Sequence, residues 1–212
     1  MKFAKCLCAI STARRASSSA LKAFARENVA YGAARYLDWM QVESELRRRL
    51  ARLINAPRAE DISILKSTSE ALSLVAYGLD WQAGDNVVIF RQEFPSNRWV
   101  WESLKSRGVE TRLVDLWSGE NPEQRLIESC DERTRVVSVS SVQYATGFRT
   151  SLEPLGRFCR RENILFCVDA IQSLGAIPFD VQQVQADFVM SDGHKWMMGP
   201  EGIALFYCRK AH

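Results

Sequence analysis

The chain has 212 residues, 47% hydrophobic, 25% charged and 10% aromatic, which excludes a disordered tract and suffices for one substantial core. Its 11 Gly and 6 Pro exclude collagen-like and linker sequences, and no apolar run approaches the roughly 18–20 residues of a membrane span. The formal charge of +3 is concentrated at the start: Lys2, Lys5, Arg14, Arg15, Lys22 and Arg26 precede the first acid, Glu27, leaving 22 basic against 25 acidic residues in the body, a poor balance for binding nucleic acid.

Residues 1–26 are acid-free and rich in Ala, Ser and Arg. Lys5 leaves only Cys6 to Ile10 as an apolar stretch, too short for a secretory signal. Residues 1–30 are therefore expected to form a loosely ordered or helical arm, with a mitochondrial-type targeting segment as the alternative. From residue 38 the pattern is regular. Asp38 is placed to cap a helix running to about Asn55. Leu46, Leu50, Leu53 and Ile54 make its apolar face, and Arg47, Arg48 and Arg49 its wet side beside Glu43 and Glu45.

Strand Ile62–Leu65, helix Ser69–Leu79 and strand Asn86–Phe90 follow, then helix Asn97–Arg107, strand Thr111–Asp115 and helix Pro122–Cys130. Strand Arg135–Ser141, helix Ser151–Glu162, strand Ile164–Asp169 and two further strands, Phe188–Ser191 and Ile203–Tyr207, complete the series. Strands alternating with helices, several of them apolar throughout, predict a three-layer α/β/α fold around a mostly parallel sheet. The six cysteines contain no C-x-x-C pair, and Cys159 and Cys167 lie inside apolar runs. They read as reduced, mostly buried thiols of a cytoplasmic protein. With only His194 and His212, a Cys/His zinc site or a Ser-His-Asp triad would have to use His194.

Ligands of such sheets bind beyond the carboxyl ends of the strands. No G-x-G-x-x-G and no G-x-x-x-x-G-K-[ST] occurs, so a nicotinamide oxidoreductase and a P-loop protein both lose their main support. After Ile62–Leu65 comes Lys66-Ser67-Thr68-Ser69-Glu70. Ser67 and Glu70 have capping-box spacing, and the same turn offers free N–H groups and the hydroxyls of Thr68 and Ser69 as a seat for phosphate. After Asn86–Phe90, Phe94 suits either the core or a planar ring. Asp169 closes a buried strand and must find a partner, either a backbone N–H of the following segment or a protonated ring nitrogen. Lys195 follows a strand between His194 and Trp196, in a chain with seven lysines against 21 arginines. Arginine replaces lysine for charge but cannot form an imine.

Val168-Asp169-x-x-Gln172, followed 22 residues later by His194-Lys195, resembles the pyridoxal-phosphate (PLP) site of class V aminotransferases. That group includes cysteine desulfurases, selenocysteine lyases, kynureninase and isopenicillin N epimerase. The resemblance runs from about residue 28 to 208. It implies the large domain of fold type I over residues 31–212, without the family's C-terminal small domain, and a homodimer acting on an amino acid. It also implies that Lys195 carries the cofactor as an internal aldimine and that Asp169 pairs with the pyridine nitrogen. Gln172 would bond the ring hydroxyl, His194 would neighbour the phosphate or the Schiff base, and Thr68 and Ser69 would bind phosphate. Arg35, in the family-like Tyr31–Tyr36 segment, is a candidate for a substrate-facing loop.

Three positions depart from the desulfurase pattern. Phe94 stands where those enzymes stack a histidine, as in the Phe-Pro segment of kynureninase. Asp192 stands where they have Ser, an acid that would repel phosphate unless it points away. Gln143 stands in for their Asn. Transamination, β-elimination, desulfuration and epimerisation share this Lys and Asp chemistry, so the reaction stays open. A catalytically silent remnant that binds PLP or a partner chain is the alternative.

Overall fold

The computed structural model describes residues 15–210. The first fourteen residues, with Lys2, Lys5, Cys6, Cys8 and Arg14, and the terminal His212 lie outside it. Seven strands form one sheet: β1 (Ile62–Leu65), β2 (Asn86–Phe90), β3 (Glu110–Val114), β4 (Thr134–Ser140), β5 (Leu165–Asp169), β6 (Phe188–Asp192) and β7 (Ala204–Cys208). Their order is β1-β7-β6-β5-β4-β2-β3. β2 to β6 pair in parallel, while β7 is antiparallel to both β6 and β1. β1 therefore runs in the same direction as β6, and the six loops that follow β1 to β6 emerge at one edge.

The inner strands are buried on both faces, as their apolar runs require, while the edge strands β1 and β3 are only partly buried. In β2, Val88 and Phe90 join one core with Ile54 and Leu155, while Val87 and Ile89 join the other with Leu72 and Trp101. The first face is covered by α2 (Tyr36–Leu53), α5 (Pro122–Glu128), α6 (Leu152–Arg161) and α7 (Val181–Val184). The second is covered by α3 (Thr68–Gly78), α4 (Pro95–Glu102) and the 3₁₀ turn Ser103–Arg107. This is the expected three-layer α/β/α fold. No helix among the described residues is long and apolar enough to cross a membrane.

Several expectations need correction. Asp38 does not cap α2; the helix begins at Tyr36 after Arg35, and Asp38 sits in its first turn, where a carboxylate still meets the positive end of the dipole. Leu53 is exposed, and the inward stripe runs through Leu50, Ala51 and Ile54 instead. Arg47, Arg48 and Arg49 do lie on the wet face, paired with Glu43 and Glu45 at 2.6 to 2.9 Å. The helix expected over Asn97–Arg107 starts at Pro95, pre-set for a first turn, and tightens to 3₁₀ before Gly108 at φ 79°. The described part of the arm is a 17-residue helix, α1 (Arg15–Tyr31), with no buried residue.

Candidate active site

The common direction of β1, β2, β4, β5 and β6 brings the sequence candidates to one edge of the sheet. Thr68 and Ser69 follow β1, Phe94 follows β2, Gln143 follows β4, Gln172 follows Asp169 at the end of β5, and His194 and Lys195 follow β6. Arg35 stands apart. Its guanidinium pairs with Glu27 at 3.7 Å and lies 4.5 Å from the Tyr31 ring centroid, and no hydrogen bond or ion pair links it to the strand-end residues.

Asp169 is 1% exposed. Its Oδ1 accepts the N–H of Ile171 at 3.0 Å, the backbone partner foreseen, although the segment after β5 is a turn and not a helix. Burial pushes its carboxyl up to about 7, with the charges of Glu93 and Asp192 adding to the rise and that of Lys195 opposing it. Lys195 is 8% exposed. Its Nζ lies 5.8 Å from the Phe94 ring centroid, a cation over an aromatic face. The Phe94 ring meets Tyr144 edge-on at 5.0 Å and 81°.

A tight turn sets the height of Lys195. Met198 N donates to Lys195 O at 3.1 Å, and Gly199 N to Gly193 O at 2.7 Å. Met198 adopts φ 56°, a left-handed conformation that costs a side-chain-bearing residue energy unless its surroundings hold it. Gly175 faces the same loop. At φ +95° its added Cβ would lie 2.5 Å from Trp196 O, so only glycine lets the backbone after β5 approach the lysine loop.

The start of α3 is occupied from within. Ser67 Oγ accepts Glu70 N at 3.1 Å, while Glu70 Oε2 accepts Lys66 N at 2.8 Å, close to the capping-box arrangement. Asp192 does not point away from this helix end. Its Oδ1 accepts Thr68 N at 2.5 Å, and its own N–H donates to Thr68 Oγ1 at 3.1 Å. Its other oxygen lies 3.6 Å from His194 Nδ1. The Thr68 hydroxyl proton remains to be donated. Ser69 Oγ meets Ser96 Oγ at 2.8 Å.

Glu93 is a residue of this edge for which the sequence alone suggested no role. Only 4% exposed, it accepts four hydrogen bonds, from Ser140 N (2.8 Å), Ser140 Oγ (2.5 Å), Asn97 Nδ2 (3.0 Å) and Gln143 Nε2 (2.7 Å). Burial pushes its carboxyl upward against the pull of those donors. Gln143 is 2% exposed, and its Oε1 has no partner. The available signal was the i, i+4 spacing of Glu93 and Asn97 just after the apolar run Val87–Phe90.

The described cysteines are all free thiols. Burial holds Cys159 and Cys167 well above the ordinary thiol range, so both stay protonated and unreactive. Among the described residues no three His, Cys, Asp or Glu side chains are grouped to hold a metal ion. A cavity of about 890 Å³ lies beside α2, α6 and α7, lined in part by Arg52, Arg149, Arg157, Ser141 and Ser173. It includes none of Thr68, Phe94, Asp169 or Lys195, so this hollow is not lined by those candidates.

The sequence profile of the class-V aminotransferases matches residues 24–212. The chain belongs to that family. A probable cysteine desulfurase of Methanothermobacter thermautotrophicus is 38% identical over 165 residues, covering 77% of this chain and 41% of its own length. The cysteine desulfurase of Pectobacterium atrosepticum is 33% identical over 170 residues, covering 78% and 42%. Among solved structures, the cystine C–S lyase C-DES in complex with its reaction product cysteine persulfide superposes with a TM-score of 0.84 at 25% identity, over 94% of this chain and 54% of that one. The apo cysteine desulfurase of Thermococcus onnurineus NA1 gives 0.72 at 31% identity, over 79% and 42%. The chain thus spans about two fifths of the length of these curated relatives.

Proposed function

We propose that this chain forms the PLP-binding part of a class V enzyme acting on an amino-acid substrate, with Lys195 the residue that takes the cofactor covalently. The observation that carries the reading is the burial of Asp169 in the same site as Lys195. A carboxyl forced toward its neutral form by desolvation is one that a cationic ring nitrogen would restore to full charge. It has spare capacity for that partner, because among the described residues its carboxylate accepts only the backbone N–H of Ile171. Gln172 is half-buried, without a hydrogen-bond partner among the described residues. The residues present therefore fit the cofactor.

Bound PLP supplies an electron sink for the bonds at the α-carbon of an amino acid. Around it, Asp169 would hold the proton on the ring nitrogen, Gln172 would donate to the ring hydroxyl, and Phe94 would lie against the ring. The hydroxyls of Thr68 and Ser69 would donate to the phosphate. Asp192 already fills the first N–H of α3, so the phosphate would depend on those hydroxyls and on His194. Nδ1 of that imidazole faces the Asp192 carboxylate. The Lys195 amine would be the group that moves a proton at the substrate's α-carbon. Arg35 would have to release Glu27 to meet a substrate carboxylate.

The names of the relatives favour cleavage of a C–S bond in a sulfur amino acid over transamination or epimerisation. The homodimer implied by the family would cover apolar side chains that α1 and α2 leave exposed, among them Val29, Leu37 and Val42.

Titration with PLP tests the reading. A visible absorption band is expected to saturate at one cofactor per chain and to vanish in Lys195→Ala; a band undiminished in that variant would refute it. A second reading is cofactor or partner binding without turnover. It predicts the band without exchange of the α-proton of cysteine or alanine in heavy water.

A further inference from the structure

We propose that Glu93 is a positioning residue of this site: its ionised carboxylate clamps the loop after β4 to the loop after β2, so that Phe94 and Tyr144 close as a pair beside Lys195. The proposal rests on the reading above for what the site binds, and on geometry alone for the clamp.

A carboxylate offers about four acceptor positions, and Glu93 fills all four, two on each oxygen. The donors cannot be reversed at will. Ser140 N is a backbone amide. The orientation of Asn97 is set by its other side, because Oδ1 accepts from Trp101 Nε1 at 3.1 Å and from Ser138 Oγ at 2.5 Å, and an indole nitrogen only donates. Asn97 Nδ2 must therefore face Glu93. With these two fixed donors converging beside the Ser140 hydroxyl, the charged form of Glu93 is the one the site is built to hold, and Gln143 turns its own N–H toward it.

The consequence lies one residue further along each loop. Glu93 precedes Phe94, and Gln143 precedes Tyr144. The 2.7 Å bond between Gln143 Nε2 and Glu93 Oε1 ties the two loops where their next residues meet ring to ring at 5.0 Å. Lys195 Nζ is 5.8 Å from the Phe94 ring centroid. The clamp thus fixes one wall of the space in which the lysine amine must react. Gln143 Oε1 is enclosed and unpartnered, which is unfavourable for a buried acceptor, and the bond to Glu93 is what offsets it in this orientation.

The test uses the full chain and the variants Glu93→Gln and Gln143→Leu, with the surface variant Glu128→Gln as control. Without cofactor, competitive acetylation of Lys195, read by peptide mass mapping against Lys66 and Lys105, reports the access and reactivity of the amine. Both clamp variants are expected to raise Lys195 labelling at least threefold while keeping a cooperative melt, and Glu128→Gln to leave it unchanged. With PLP, Glu93→Gln is expected to weaken binding at least tenfold and to move the pH midpoint of the visible band by half a unit or more. Unchanged labelling in a folded Gln143→Leu, or an unchanged band and affinity in Glu93→Gln, would overturn the clamp. If Glu93→Gln fails to fold, Gln143→Leu decides alone. A wild-type chain that takes no PLP defeats the functional reading, and the labelling comparison still decides the clamp.

Discussion

The carboxyl edge of the sheet and the α1–α2 hairpin are opposite solutions to the same problem. At the sheet edge, polar groups are buried and committed: Glu93 to four donors, Asp192 to Thr68, Ser141 Oγ to Ser173 Oγ at 2.7 Å. In the hairpin the apolar groups are uncommitted, with Val29 88% and Leu37 72% exposed, and α1 is held by sparse contacts. Phe24 meets Trp39 edge-on at 5.1 Å, and Ser17 Oγ donates to Met198 O at 3.2 Å. Rigid geometry is concentrated where polar atoms are enclosed, because an enclosed group left unpaired is costly. The hairpin instead leaves apolar side chains exposed.

The largest effect that would sharpen this contrast is Trp101→Ala. It removes a fully buried indole and the donor that orients Asn97, and should cost about 3–5 kcal/mol in chemical denaturation. Next comes the pH dependence of the cofactor-free chain. Asp169 is raised from an ordinary 3.8 to about 7, so its contribution to stability is complete below pH 4 and is lost as pH rises through about 7. Unfolding free energy should fall over that window by up to about 4 kcal/mol, and Asp169→Asn should flatten the fall. Gly175→Ala, which forces a side chain against Trp196 O at φ +95°, should cost about 1–3 kcal/mol and weaken PLP binding by shifting the lysine loop. Smallest is Val29→Ser on α1, expected within about 0.5 kcal/mol of wild type. An α1 change as costly as Trp101→Ala would break the comparison.

Much of the fold was legible because several of its strands are runs of apolar residues and its helices are punctuated by Pro and Gly. Pro95, Pro122 and Gly108 mark boundaries to within a few residues. α7 was missed because four residues show no periodicity; its Asp180 cap, accepting from Gln182 and Gln183, is visible only once folded. Leu53 fits a helical stripe on paper but faces the cavity beside α6, because only the sheet decides which residues of α2 turn inward. The candidate site was legible at Asp169, Gln172, His194 and Lys195, whose order along the chain is distinctive. Glu93 was not, since a glutamate beside a strand usually reads as solvated, and three of its four donors come from the β4 end and the loop beyond it, some fifty residues away.

The central claim is that Lys195 and Asp169 belong to one cofactor site, and it is tested most directly by borohydride reduction in the presence of PLP followed by peptide mapping. The account predicts a single stable pyridoxyl phosphate adduct, on the peptide that contains Lys195, with its yield strongly reduced in Asp169→Asn. An adduct spread over Lys66, Lys105 and Lys210, or one on Lys195 indifferent to Asp169, would contradict it.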